Sequence, residues 1–163
     1  MAGLSAICRI LDKSVPPLLL VALLLHAGTA PAQQTALPAQ PEITLKINGQ
    51  SLAAEVVNVD ETRQRGLMFR KTMAENHGML FVFPESAFHS MWMQNTYLPL
   101  SVAFIDDAGV ILNIADMQPL TTDSHTAAGF ARYALEMNQG WFAKRGIKAG
   151  AKIEGLGKAP RPR

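Results

Sequence analysis

Cysteine is almost missing from this sequence. The only one, Cys8, precedes the first apolar run, so disulfides, thiol catalysis and cysteine-based metal sites are excluded downstream of it. Long hydrophobic runs are missing too. The longest, Val15 to about Ala27, is interrupted at its start by Pro16-Pro17 and is short for a bilayer span. There is no H-E-x-x-H, no zinc-finger spacing, no phosphate loop and no G-x-S-x-G elbow. Nor does charge of one sign accumulate. Without Arg9, Lys13 and Asp12, 13 basic and 12 acidic residues remain, a balance that argues against nucleic-acid binding.

The short apolar run has a function of its own. Arg9 and Lys13 lie ahead of it and Ala30-Pro31-Ala32 ends it. This predicts a Sec-type signal peptide over residues 1–32, cleaved after Ala32, and a periplasmic or secreted protein with no stable membrane anchor after cleavage. An uncleaved anchor is the alternative. No Arg-Arg pair marks a twin-arginine route, and no cysteine stands at the cleavage site to take a lipid. The polar, proline-containing stretch 33–41 reads as a linker and 42–156 as a single domain. The basic end, 157–163, reads as a disordered tail. A monomer is expected.

Period-2 patterns dominate the domain. Asn48-Gly49 predicts a two-residue hairpin turn, with Ile47 opposite Gln50, Leu45 opposite Leu52 and Ile43 opposite Ala54. "DETRQRG" predicts a short helix capped by Asp60 or Thr62 and stopped at Gly66. "GMLFVF", 78–83, is apolar on both faces and predicts a central strand. "FHSMWMQN" predicts another strand. Asp106 to Gly109 predicts a turn, with Asp106 opposite Val110, Phe104 opposite Leu112 and Val102 opposite Ile114. In "ARYALEM", Ala131, Tyr133, Leu135 and Met137 alternate with Arg132, Ala134 and Glu136, the pattern of a half-buried strand. A helical turn follows at "NQGWFAKRG", with Asn138 as cap and Gly146 as stop. A short strand closes the domain at "AKIEGL". The sum predicts a mainly β fold, a compact antiparallel sandwich or barrel with one or two short helices.

Four segments, "RGLMFR", "GMLFVFP", "MWMQNTYLPLSVAFID" and "ARYALEMNQGWFAKRGIKAG", resemble in order and spacing the bacterial and archaeal family known as domain of unknown function 192. The resemblance runs from about Ile43 to Ile153. It implies a compact, mostly β domain, often exported, with no established activity. Matching positions include Arg65, Gly66, Met68, Trp92, Met93, Asn95, Thr96, Pro99, Asp106 and Glu136. The family usually carries Lys where this chain has Gln94 and Asp where it has Ser101. The opposite charges suggest that these two positions pair in space.

The resemblance concentrates a candidate ligand site on Arg65, Trp92, Asn95, Thr96 and Asp106. Arg63, Arg65, Arg70 and Lys71 could hold a carboxylate or phosphate, or form a solvated face. Trp92, Tyr97 and Trp141 could line a groove, or stitch a strand end to a loop. A copper(I) chaperone is one alternative. On a strand, His89, Met91 and Met93 share a face with neighbours about 6.5 Å apart, and thioether plus imidazole suits that ion. Core packing explains the same methionines. A carbohydrate-active hydrolase is another alternative, with Asp106 and Asp107 as its carboxylates, although a turn also accounts for them. His77, His89 and His125 have Ser86, Ser90 and Ser124 nearby, as chance alone would give. The expectation is therefore a non-catalytic module that needs no cofactor and binds a small molecule or an envelope component.

Overall fold

A computed structural model describes residues 39–163. The expected signal peptide, and residues 33–38 of the expected linker, lie outside the described residues. In chain order the elements are β1 (Glu42–Ile47), β2 (Gln50–Val57), α1 (Asp60–Arg65), β3 (His77–Ala87), β4 (Ser90–Met91), β5 (Leu100–Ile105), β6 (Ile111–Met117), β7 (His125–Thr126), β8 (Ala131–Asn138), α2 (Trp141–Lys144) and β9 (Ile153–Glu154), followed by a 3₁₀ turn at Leu156–Lys158. Seven strands form a curled half-barrel in the order β6-β5-β8-β3-β2-β1-β9, and β4 pairs with β7 alone. The mainly β architecture follows from the alternating sequence.

Asn48 and Gly49 both take positive φ, 48° and 78°, which is what a tight hairpin turn requires. The β1–β2 register is the expected one, with Ile47 opposite Gln50, Leu45 opposite Leu52 and Ile43 opposite Ala54. The β5–β6 hairpin departs from its expected register. The Asp106 N–H does donate to the Val110 carbonyl, but a bulge then places Phe104 opposite Asn113 and Val102 opposite Ala115. One extra residue on β6 shifts every later pair.

The antiparallel expectation has one exception. β3 returns parallel to β2, with Val56 opposite Leu80, and a parallel neighbour needs a crossover. Residues 58–76 supply it, carrying α1 across one face of the sheet. Neither helix uses a side-chain cap. Val59 precedes α1 and Thr62 bonds back to the Val59 carbonyl, while Gly140 precedes α2 and Asn138 instead holds the Met73 and Ala74 carbonyls.

Both faces of the sheet carry a core. On one lie Leu45, Ile47, Leu80, Leu135, Trp141 and Phe142. On the other lie Leu67, Met79, Phe81, Met93, Val102 and Phe104. Each such side chain contributes roughly 1.5–3 kcal/mol by leaving water. β8 runs between β3 and β5 and is covered on both faces, so Ala134 and Glu136 are as buried as Leu135 and Met137. The expected half-buried strand is thus buried on both faces from Ala134 to Met137.

The two outer strands meet at one corner, where Val110 bridges Lys152 and the Gly109 carbonyl accepts the Ile153 N–H at 2.8 Å. The tail expected to be disordered is tied back. Asn58 Nδ2 donates to the Arg161 carbonyl at 2.6 Å, and the Arg163 N–H donates to the Asn58 carbonyl at 2.7 Å. No helix among the described residues is long and apolar enough to cross a membrane.

Candidate ligand groove

A groove of about 660 Å³ opens between the α1 crossover and the chain that follows β3. Its wall from the crossover is Arg65, Leu67 and Met68. The opposite wall is His89, Met91, Trp92 and Gln94. Phe81 and Phe83 from β3 and Glu136 from β8 form its base. The walls are braced by backbone. The Phe69 N–H donates to the Asn95 carbonyl at 2.9 Å, the Leu120 N–H to the Thr96 carbonyl at 3.1 Å, and the Met93 N–H to the Thr121 carbonyl at 3.1 Å. Asn95, Phe69 and Leu120 take φ of 55°, 65° and 62°, and for Phe69 and Leu120 this left-handed backbone is strained.

Glu136 is the unusual residue. It is 4% exposed, its strand neighbours are Met79 and Val102, and its carboxyl has no hydrogen bond or ion pair with any described residue. Burial pushes its pKa up to about 8, because the charged form loses water and gains no compensating partner. A buried acid left unpaired among the described residues, at the base of an open groove, is available to something that enters the groove.

The candidate residues from the sequence divide. Arg65, Trp92 and Thr96 come together around the groove. Asn95 braces the wall through its carbonyl. Asp106 is elsewhere, with Oδ1 accepting the Val110 N–H at 2.8 Å to close the β5–β6 turn. Asp107 bonds Ser86 and lies 3.8 Å from Arg132. Trp92 is half exposed and its indole makes no hydrogen bond to Asn95 or Thr96, whereas Trp141 is buried in the opposite core, so Trp92, Tyr97 and Trp141 do not line one groove.

The strand behind the copper alternative is shorter than expected. It ends at Met91, so Met93 does not share a strand face with His89. Met93 is wholly buried in the core, and the His89 ring stacks on Phe83 at 3.7 Å, with Nε2 3.0 Å from the Glu85 carbonyl. Among the described residues no three His, Cys, Asp or Glu side chains are grouped to hold a metal.

Residues 43–155 match the family domain of unknown function 192, described as "Uncharacterized ACR". The chain belongs to this family. Two solved structures are similar to it. One is a Sinorhizobium meliloti 1021 protein provisionally described as a transcription regulator, 34% identical over 75% of this chain and 99% of that one, with a TM-score of 0.70. The other is a protein of unknown function from Novosphingobium aromaticivorans DSM 12444, 29% identical over 78% of this chain and 99% of that one, with a TM-score of 0.66. No curated protein matches the chain.

For a member of domain of unknown function 192, the expected pairing of positions 94 and 101 fails. Ser101 lies on the face of β5 opposite to Val102. It accepts the Gly140 N–H at 2.8 Å and donates to Asp116 Oδ1 at 2.5 Å. Gln94 lines the groove above Glu136. The acid that shares a site with position 94 is therefore Glu136. Sequence reasoning missed it as a site residue because the alternation assigned it to an exposed face. The available signal was a lone acid in a strand with apolar residues on both sides.

Proposed function

We propose that this protein is an exported, non-catalytic module that binds a small molecule in the groove over Glu136. The observation that carries this reading is the carboxyl of the largely buried Glu136, unpartnered among the described residues and lining a groove whose volume falls in the usual range for ligand sites. Catalysis has less support. The hydroxyls lining the groove are engaged, Ser90 with Thr126 and Thr96 with the Gln94 carbonyl, and Asp60 is paired with Arg63, which leaves no nucleophile–base pair among the lining residues.

A thermal-shift screen of organic acids, alcohols, amines and saccharides tests the binding reading. At least one class should raise the melting temperature of the wild type and leave Glu136→Leu unmoved. A wild type that responds to none would count against it. Export rests on the Arg9–Ala32 pattern. Protein recovered from the periplasmic fraction should begin at Gln33, and retention of an intact N-terminus in the cytoplasm would refute that part.

A further inference from the structure

We propose that the ligand of this groove is a small amphipathic carboxylate, held by the Arg65 guanidinium at the mouth and the Glu136 carboxyl at the base, with its hydrocarbon part against Leu67, Phe81, Phe83 and Trp92. This rests on the reading that the groove binds a small molecule.

The charges decide the sign of the ligand. Of the basic residues clustered between 63 and 71, Arg63 donates Nη1 to the Val82 carbonyl at 3.1 Å and Nη2 to Asp60 at 2.8 Å. Arg70 grips Glu55 with both terminal nitrogens, at 2.5 and 2.7 Å. The Arg65 guanidinium has no hydrogen bond or ion pair with any described residue, and Arg65 borders both this groove and a smaller one of about 310 Å³. It is an unspent fork of donors, the geometry that suits a carboxylate.

The remaining groups facing Glu136 do not offset it. The crossover brings Asp60, which Arg63 already neutralises. β3 brings Phe81 and Phe83. The chain after β3 brings His89, held against Phe83, and the uncharged Met91, Trp92, Gln94 and Thr96. β5 brings Val102. With its pKa near 8, Glu136 is mostly protonated at neutral pH. The base of the groove then presents a neutral O–H donor beneath a free cation. An anionic oxygen entering there accepts a hydrogen bond from Glu136 and is attracted by Arg65. An ammonium group would pass Arg65 and would have to ionise a buried acid. The carboxylate is the better fit on both counts.

Binding and protonation are consequently coupled. A bound carboxylate favours the protonated form of Glu136, so affinity is flat below the Glu136 pKa and falls about tenfold per pH unit above it, with a proton taken up on binding there.

The test is isothermal titration calorimetry of the full chain with hexanoate, 1-hexanol and hexylamine, and with the corresponding 4-phenylbutyl acid, alcohol and amine, from about pH 6 to about pH 9.5. The acids should bind at least about tenfold tighter than the alcohols and amines. Arg65→Gln should lose about tenfold or more in acid affinity. Glu136→Gln keeps a donor that does not titrate, and should retain acid binding while losing the fall above pH 8; melting curves of both variants confirm that they are folded. Preference for an amine or an alcohol, or an unchanged pH profile in Glu136→Gln, overturns the carboxylate assignment alone. Failure of all six compounds overturns the carboxylate assignment, and the binding reading falls with it only when the wider thermal-shift screen, saccharides included, is silent as well.

Discussion

The Trp141 indole donates its Nε1 hydrogen to Asn76 Oδ1 at 3.0 Å, and the Arg145 guanidinium lies over the same ring at 4.4 Å while also bonding Asn76 and Glu75. One side chain thus staples the end of the α2 region to the loop that leads into β3. Asn76→Ala strands a buried indole N–H. The expected cost is about 1–2 kcal/mol, read as a lower urea midpoint with unchanged slope. A midpoint equal to wild type would show that water replaces Asn76 without penalty.

Gly78 begins the buried part of β3 directly opposite Met137 on β8. A Cβ there would overlap Met137 Sδ and come within 2.5 Å of the Glu136 carbonyl. The backbone carbonyl cannot swing away without opening the β3–β8 ladder. Gly78→Ala should cost about 2–4 kcal/mol and reduce soluble yield, and a variant as stable as wild type would refute the close packing of these strands.

Glu136 should give stability a measurable pH dependence. Its native pKa is about 8, and in an unfolded chain a glutamate returns to about 4.3. Between those values the native state holds a proton that the unfolded state has released. Stability is therefore highest below the lower value, falls as pH rises through the window, and levels off above about 8. The whole shift sets a ceiling of roughly 4–5 kcal/mol on the loss. Denaturant midpoints at the two ends of the window should differ in the wild type and much less in Glu136→Gln. Glu136→Met, which removes the buried acid, should be more stable than wild type at pH 8.5 by about 1–3 kcal/mol while losing ligand response, a trade of stability for function.

Gln94 and Glu136 line the same groove. Gln94→Lys puts an ammonium there and should lower the Glu136 pKa by about 1–3 units, as followed by carbon NMR of a labelled glutamate side chain. No shift would mean that the lysine extends into solvent.

What could be read from the sequence depended on whether a local pattern held the information. The Asn48-Gly49 turn and its alternating flanks fixed the register from Ile47–Gln50 to Ile43–Ala54, because turn geometry and apolar alternation agree there. The bulge that offsets Phe104 from Leu112 carries no such mark, since either register buries the β5 side chains. The parallel β2–β3 pair depends on where a 19-residue crossover lands, which no window of sequence encodes. Trp92, Thr96 and Arg65, which the linked motifs single out, all line the groove. Asp106 was grouped with them through those motifs, yet its carboxylate closes a turn. Glu136 was misplaced because strand parity identifies two faces without saying whether one of them is wet, and here neither is.

The meeting of Val110 with Lys152 also bears on recognition. Since the outer strands join at that corner and β9 is only two residues long, the sheet offers a short run of free backbone on that side for a visiting peptide to extend. Whatever docks there has to be read by side chains. The same seam leaves little free backbone on that side through which two copies could pair strand to strand.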